Sequence, residues 1–139
     1  MTNINVIENK ISSIQKYLKI VSQYRKYSQA EIEKDQTLKG AVERYLYLLS
    51  QASIDLAEAV IALKDFRRPS TYSEAFYILN QEEIIPARLT ENLVKMVGFR
   101  NIIAHDYEDV DLGIVYEVLQ ERYKDVEEFV RSVKKSLNL

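Results

Sequence analysis

The chain has no cysteine and no tryptophan, and only one histidine, two prolines and three glycines among its 139 residues. Each shortage removes a class of protein. Without cysteine there can be no disulfide framework, no thiolate metal site and no cysteine nucleophile. A single histidine rules out a two-histidine zinc motif within one chain. Gly40, Gly98 and Gly113 are isolated and far apart, so no glycine-rich phosphate loop exists. With Pro69 and Pro86 they are too few for a fold made of many tight turns. No run approaches the roughly 20 uninterrupted apolar residues of a bilayer span. The start, Met1-Thr2-Asn3-Ile4-Asn5, lacks the basic-then-apolar pattern of a signal peptide. A cytoplasmic protein with no membrane attachment is the expectation. Nor is there a basic excess: 19 Lys and Arg stand against 21 Asp and Glu, a net charge of -2. Bulk electrostatics give no support to nucleic-acid binding, so any contact with RNA must be made by a local site.

What the chain does have is apolar content in helical register. Hydrophobic residues form 47% of it and charged residues 29%, enough for one core and a solvated surface, and the length suits a single domain over 1–139. Ile4, Ile7, Ile11, Ile14, Leu18 and Val21 recur in steps of three and four, which puts them on one stripe of a first helix capped by Asn3 or Thr2. That helix should fade near Ser28, where Ser28-Gln29-Ala30-Glu31 reads as a capping box for a short second helix. Asp35 or Thr37 opens a long helix through Leu38, Val42, Tyr45, Leu49, Ala52, Leu56 and Leu63. Arg67-Arg68-Pro69-Ser70 should end it, because the residue before proline resists the α conformation. A second capping box, Thr71-Tyr72-Ser73-Glu74, starts a shorter helix. Another carries Leu89, Leu93, Met96 and Ile103, and the last begins after Asp111 and runs through Val115, Leu119, Val126, Phe129 and Val133. The expectation is an all-α, up-and-down bundle of about five helices around a four-helix core.

Chemistry concentrates around His105. Asn101 lies four residues earlier, on the same helical face, where its amide can orient the imidazole. Arg100 brings a planar, permanently charged fork suited to phosphate, and Tyr107 follows with a phenolic hydroxyl. Met96, Val97, Phe99, Ile102 and Ile103 give these groups an apolar setting. On a regular helix Arg100 and His105 project about 140° apart, so they converge on one phosphate only if the helix stops near Ala104 or a second chain completes the site. Arg44, Arg67, Arg68 and Lys95 are further cations that RNA could meet; solvated helix faces and helix ends explain Arg67 and Arg68 better, and Arg44 could share a polar network with Asp55. The adjacent pairs Glu82-Glu83 and Glu127-Glu128 read as solvated surface. Glu108-Asp109-Val110-Asp111 lacks the spacing and glycine of a calcium loop, and capping by Asp111 is the simpler account. No metal ligand set or cofactor site emerges. The ten tyrosines, Tyr17, Tyr24, Tyr45, Tyr72, Tyr77, Tyr116 and Tyr123 among them, read as amphipathic packing rather than base-stacking platforms.

Arg100-Asn101-Ile102-Ile103-Ala104-His105-Asp106-Tyr107 resembles, without a gap, the Arg-x4-His-x-Tyr motif of HepT-like proteins, the minimal HEPN group. Met96-Val97-Gly98-Phe99 before it and Val110 to Tyr116 after it are similar to that family's flanks, as are Val42 to Tyr45 and Ala52 to Ala57 upstream. The resemblance implies a HEPN-like helical bundle that forms a homodimer, with motifs from two chains lining one cleft. It implies a metal-independent endoribonuclease, the toxin of a type VII-like toxin–antitoxin pair. Its partner would be a minimal nucleotidyltransferase (MNT) antitoxin that transfers AMP to the motif tyrosine, here Tyr107. Arg100, Asn101 and His105 would be the catalytic residues. The alternative is a non-catalytic HEPN subunit that presents a substrate or nucleotide to a nucleotidyltransferase; a plain structural helical dimer would leave the Arg-Asn-His-Tyr cluster unexplained.

Overall fold

A computed structural model describes residues 3–105 and 110–139 of the chain. Among them there is no strand, and the helices are α1 (Ile4–Ser22), α2 (Gln29–Lys34), α3 (Gln36–Leu63), α4 (Tyr72–Gln81), α5 (Ala87–His105), α6 (Leu112–Glu117) and α7 (Tyr123–Leu137). A five-residue π turn, Val118–Arg122, joins α6 to α7 with α-type dihedrals on both sides, so these two form one continuous rod. The described rods therefore number six, the short α2 being the second helix that the Ser28 capping box announces.

The helix starts follow from local chemistry. Asn3 accepts hydrogen bonds from the Asn5 and Val6 backbone N–H groups at 2.9 and 3.2 Å, satisfying donors that the first turn leaves without partners. Ser28 and Glu31 cap reciprocally, at 3.1 and 2.9 Å, and these bonds hold the Glu31 carboxyl below its ordinary range. Asp35, not Thr37, caps α3, and Asp111 caps α6. At α4 only half of the expected box forms. Thr71 Oγ1 accepts from Glu74 N–H at 3.0 Å, but Glu74 returns to the Ser70 N–H at 2.8 Å and pairs with Arg67.

The end of α3 departs from the proline reading. The helix stops at Leu63, well before Pro69, because Asp65 takes a left-handed conformation with φ 57°. Phe66 N–H then reaches the Ile61 carbonyl at 3.0 Å, which closes the terminus as a glycine normally would. Glu83, with φ 62°, does the same for α4, where Ile84 N–H bonds the Leu79 carbonyl at 2.8 Å.

α3 is the central element: α1, α4 and α5 all pack on it, and α5 in turn packs on α4 and α7. Long and apolar enough to cross a membrane by composition alone, α3 instead buries most of that apolar stretch against its neighbours. Val42, Leu46, Leu49, Ile54, Leu56 and Val60 are almost wholly buried there. Phe76 of α4 meets Phe129 of α7 edge to face at 5.5 Å, pinning the far side of the core. Between α5 and the last rod, buried Asp125 accepts from Asn92 and from Arg122, both at 3.1 Å, and Arg88 forks onto Glu128 at 2.8 Å. The turn after α1 is tied to the same rod by Tyr116 Oη and Gln120 Nε2, which donate to the carbonyls of Tyr27 and Arg25. Asn92 and Arg88 thus tie α5 to the last rod, while α5 also packs on α3, and this placement positions the site.

Candidate active site

Arg44, Tyr47, Gln51, Asp55 and Glu58 recur along α3 in steps of three and four, so a helix that is otherwise buried carries one polar stripe. That stripe faces α5 at Arg100. The half-buried Arg100 side chain donates from Nε to Gln51 Oε1 at 2.8 Å, and its Nη2 lies 3.5 Å from the Tyr47 hydroxyl. Gln51 in turn donates from Nε2 to Asp55 at 3.0 Å. The Tyr47 and Tyr72 rings sit against the guanidinium, with centroids 5.5 and 5.1 Å from its central carbon, where the negative faces of the rings stabilise the cation. Arg100 Nη1 donates to Asn101 Oδ1 at 3.1 Å. Among the described residues no carboxylate lies within ion-pair distance of Arg100; the five ion pairs found there involve other cations. Among the described residues its charge is held in place by neutral groups.

His105 is the last residue of α5 and is exposed. Arg100 turns inward to α3 while His105 stands at the helix end, as the angular spacing required. The expected orienting contact between Asn101 and the imidazole is not what is found among the described residues. The Asn101 side-chain oxygen is instead engaged by Arg100. Tyr107, the expected modification site, lies outside the described residues, as do Asp106, Glu108 and Asp109.

Two clefts are lined by residues that touch Arg100, though the guanidinium itself lines neither. One, of about 350 Å³, is lined by Tyr72, Ser73, Asn101, Val97 and Glu58; the other, of about 430 Å³, by Tyr47, Arg44, Glu43, Ile103 and Ala104. Burial raises the carboxyls of Glu58 and Glu43 above the ordinary range, with Asp55 adding to the effect at Glu58 and Lys39 opposing it at Glu43. Arg44 is exposed, and its guanidinium lies 5.7 Å from the Tyr47 ring centroid, so it belongs to this neighbourhood. It does not share a bond with Asp55, whose partner is Gln51. Lys95 is not part of the cluster: it lines a separate crevice with Gly98, Ile102 and Glu117 on another side of α5. Arg67 is occupied by Glu74 and Gln81. The residues that sequence reasoning missed are Gln51 and the site-facing tyrosines, Tyr47 and Tyr72. The available signal was the four-residue spacing of Tyr47, Gln51 and Asp55 within an apolar helix.

Comparison with known proteins agrees with this geometry. The sequence profile of the ribonuclease HepT-like family matches residues 14–133. The chain belongs to that family. It is 35% identical, over 94% of its length and 97% of the relative's, to the mRNA nuclease HepT of Shewanella oneidensis. Over 99% of its length and 95% of the relative's it is 26% identical to the tRNA nuclease HepT of Aphanizomenon flos-aquae. Its fold superimposes with a TM-score of 0.86, at 33% identity over 94% of this chain and 97% of the other, on a tri-AMPylated Shewanella oneidensis HEPN toxin in complex with an MNT antitoxin. The HepT-like assignment accounts for the all-α bundle and puts the Arg100-to-His105 segment at the end of α5. Within that frame the polar stripe of α3 is this chain's means of presenting Arg100.

Proposed function

We propose that this HepT-like chain is the ribonuclease toxin of a toxin–antitoxin pair, acting in the cytoplasm, and that Arg100, Asn101 and His105 carry the cleavage. The observation that supports this most is the guanidinium of Arg100, held among the described residues by neutral groups alone, on the helix that ends in an exposed histidine. Such a cation stabilises the charge that develops on a phosphorane. The nucleophile is the 2′-hydroxyl next to the scissile phosphate. One imidazole removes its proton, the 2′-oxygen bonds to phosphorus, and the bond to the 5′-oxygen breaks as an acid protonates it. The products are a 2′,3′-cyclic phosphate and a 5′-hydroxyl. Imidazole suits either proton role near neutral pH. One histidine per chain cannot fill both at once, so two copies of the chain would supply His105 twice, one as base and one as acid. The same pairing overcomes the divergence of Arg100 and His105. Arg44, over the Tyr47 ring, adds positive potential along the RNA path.

Nuclease activity is named for relatives that match nearly the whole chain, which favours cleavage over the binding-subunit alternative. An MNT-type nucleotidyltransferase is the expected antitoxin, on the strength of the AMPylated toxin complex whose fold this chain shares. In this reading AMP is transferred to the Tyr107 hydroxyl with release of pyrophosphate from ATP. A bulky anion two residues from His105 would then compete with RNA for Arg100. The test is cleavage of RNA by the purified chain in excess chelator, beside His105→Ala and Arg100→Ala. Loss of cleavage in both variants is the expected result. Activity undiminished in either removes that residue from the machinery, and an inert wild type with unmodified Tyr107 returns the chain to the binding-subunit class.

A further inference from the structure

Arg100 has five N–H donors in one plane, and the way they are held bears on how it meets phosphate. Gln51 takes the Nε–H at 2.8 Å, Asn101 takes one Nη1–H at 3.1 Å, and the Tyr47 hydroxyl lies at the limit of bonding to Nη2. With two tyrosine rings against the guanidinium, a phosphate oxygen is best received along the remaining N–H edge. What sets that edge is the rotation of the guanidinium plane, and the shortest bond controlling it is the one from Nε to Gln51.

A glutamine amide can present either its oxygen or its nitrogen to a neighbour, and the two ends differ little in shape. Only the oxygen accepts from Arg100. The Asp55 carboxylate oxygen accepts the Gln51 Nε2–H at 3.0 Å, so the amide nitrogen faces Asp55 and the oxygen faces Arg100. Asp55 thus dictates the polarity of the amide one helical turn away, yet keeps its negative charge beyond the amide. A carboxylate in place of Gln51 would hold Arg100 equally well but would cancel the charge the phosphate needs. We infer that Gln51 is a positioning residue for RNA cleavage, aiming Arg100 at the scissile phosphate, and that Asp55 acts through it by fixing the direction of its amide. The inference rests on the reading of Arg100 as the phosphate-binding cation.

The experiment is single-turnover cleavage of an RNA by Gln51→Leu, Asp55→Leu and Asp55→Asn in the full chain. Binding of the same RNA bearing a 2′-deoxy substitution at the cleavage site, which cannot react, is measured in parallel. Misaiming a catalytic group by a fraction of its reach costs on the order of 10- to 100-fold in rate. Gln51→Leu is expected to lose that much in the cleavage step, with affinity for the uncleavable RNA within about threefold of wild type, the signature of an interaction realised in the transition state. Asp55→Leu should match it, the double variant should lose no more than either single one, and Asp55→Asn should recover most of the rate because its carbonyl still accepts from Gln51. The ¹⁵Nε–¹H signal of Arg100 should shift in both leucine variants. Unchanged cleavage in Gln51→Leu overturns the inference, as does a defect lying wholly in RNA affinity, or an Asp55→Asn as impaired as Asp55→Leu. Arg100→Ala is run alongside. If it cleaves normally the reading of the site itself fails; if it is dead while Gln51→Leu is not, only the positioning role falls.

Discussion

Arg100 and Arg122 are both arginines partly enclosed between helices, and their surroundings are opposite. Arg122 meets Asp125 at 3.1 Å and Glu117 at 3.9 Å, and Asp125 is further held by Asn92. Its charge is answered within the last rod itself, and Asp125, tied to Asn92, carries the contact to α5. Arg100 is held as firmly by an amide, a neighbouring asparagine and two aromatic rings, none of which removes its charge. A neutralised arginine is mortar; one oriented by neutral groups remains available to an anion from outside. The contrast explains how a chain of net charge -2 can still address RNA: it needs one local, preserved cation rather than a basic surface.

The largest expected effect tests that contrast directly. Arg100→Ala should lower RNA cleavage by about 100- to 1,000-fold, the usual cost of removing a group that meets transition-state charge, while stability falls by no more than about 1 kcal/mol. Arg122→Ala should do the reverse, costing about 1–3 kcal/mol because buried Asp125 loses a charged partner, with cleavage by the folded fraction near wild type. Kinetics and urea denaturation on both variants check the pair, and equal profiles would erase the distinction. Next in size, Tyr107→Phe should cleave RNA like the wild type but escape silencing by the nucleotidyltransferase and ATP; equal silencing of both would show that Tyr107 is not the acceptor.

Smaller effects concern the flanks of the site. Glu43 is almost fully buried, and burial raises its carboxyl above the ordinary range. A raised folded-state value means that the native state holds the proton more tightly than the unfolded chain. The stability this contributes is present below the ordinary carboxylate range and is lost as pH rises through the folded-state value. Glu43→Gln should therefore be more stable than the wild type at pH 7, with the advantage vanishing as pH falls into the ordinary carboxylate range. Thermal melts across that interval measure it. Smallest of all, Glu83→Gly should raise stability by about 0.5–1 kcal/mol, since glycine accepts the left-handed conformation that Glu83 is forced into, and should leave cleavage unchanged.

Much of the fold was legible because it rests on local rules. The caps at Asn3, Ser28, Asp35, Thr71 and Asp111 are all where short polar side chains precede helical apolar spacing. The ends of α3 and α4 were not legible, because Asp65 and Glu83 do work that glycine usually does and nothing in an acidic side chain announces a positive φ. The motif from Arg100 to His105 could be read as a string, and the angle between its two ends as a consequence of helical pitch. The partners of Arg100 could not. Tyr47, Gln51 and Asp55 are legible as a stripe, but a stripe has no address until α3 is packed on α5.

That division returns to physics of different range. By itself the sequence determined an all-α chain, the faces that must be buried, and one Arg-x4-His segment carrying the single histidine of the chain. Periodicity and capping act over one or two turns of helix, so a string of residues contains them. Only the tertiary structure decided what holds Arg100. Arg122's acidic partner lies three positions later on its own rod and follows from helical spacing. Arg100's neutral partner, Gln51, lies 49 positions earlier on α3 and meets it only when the two helices pack.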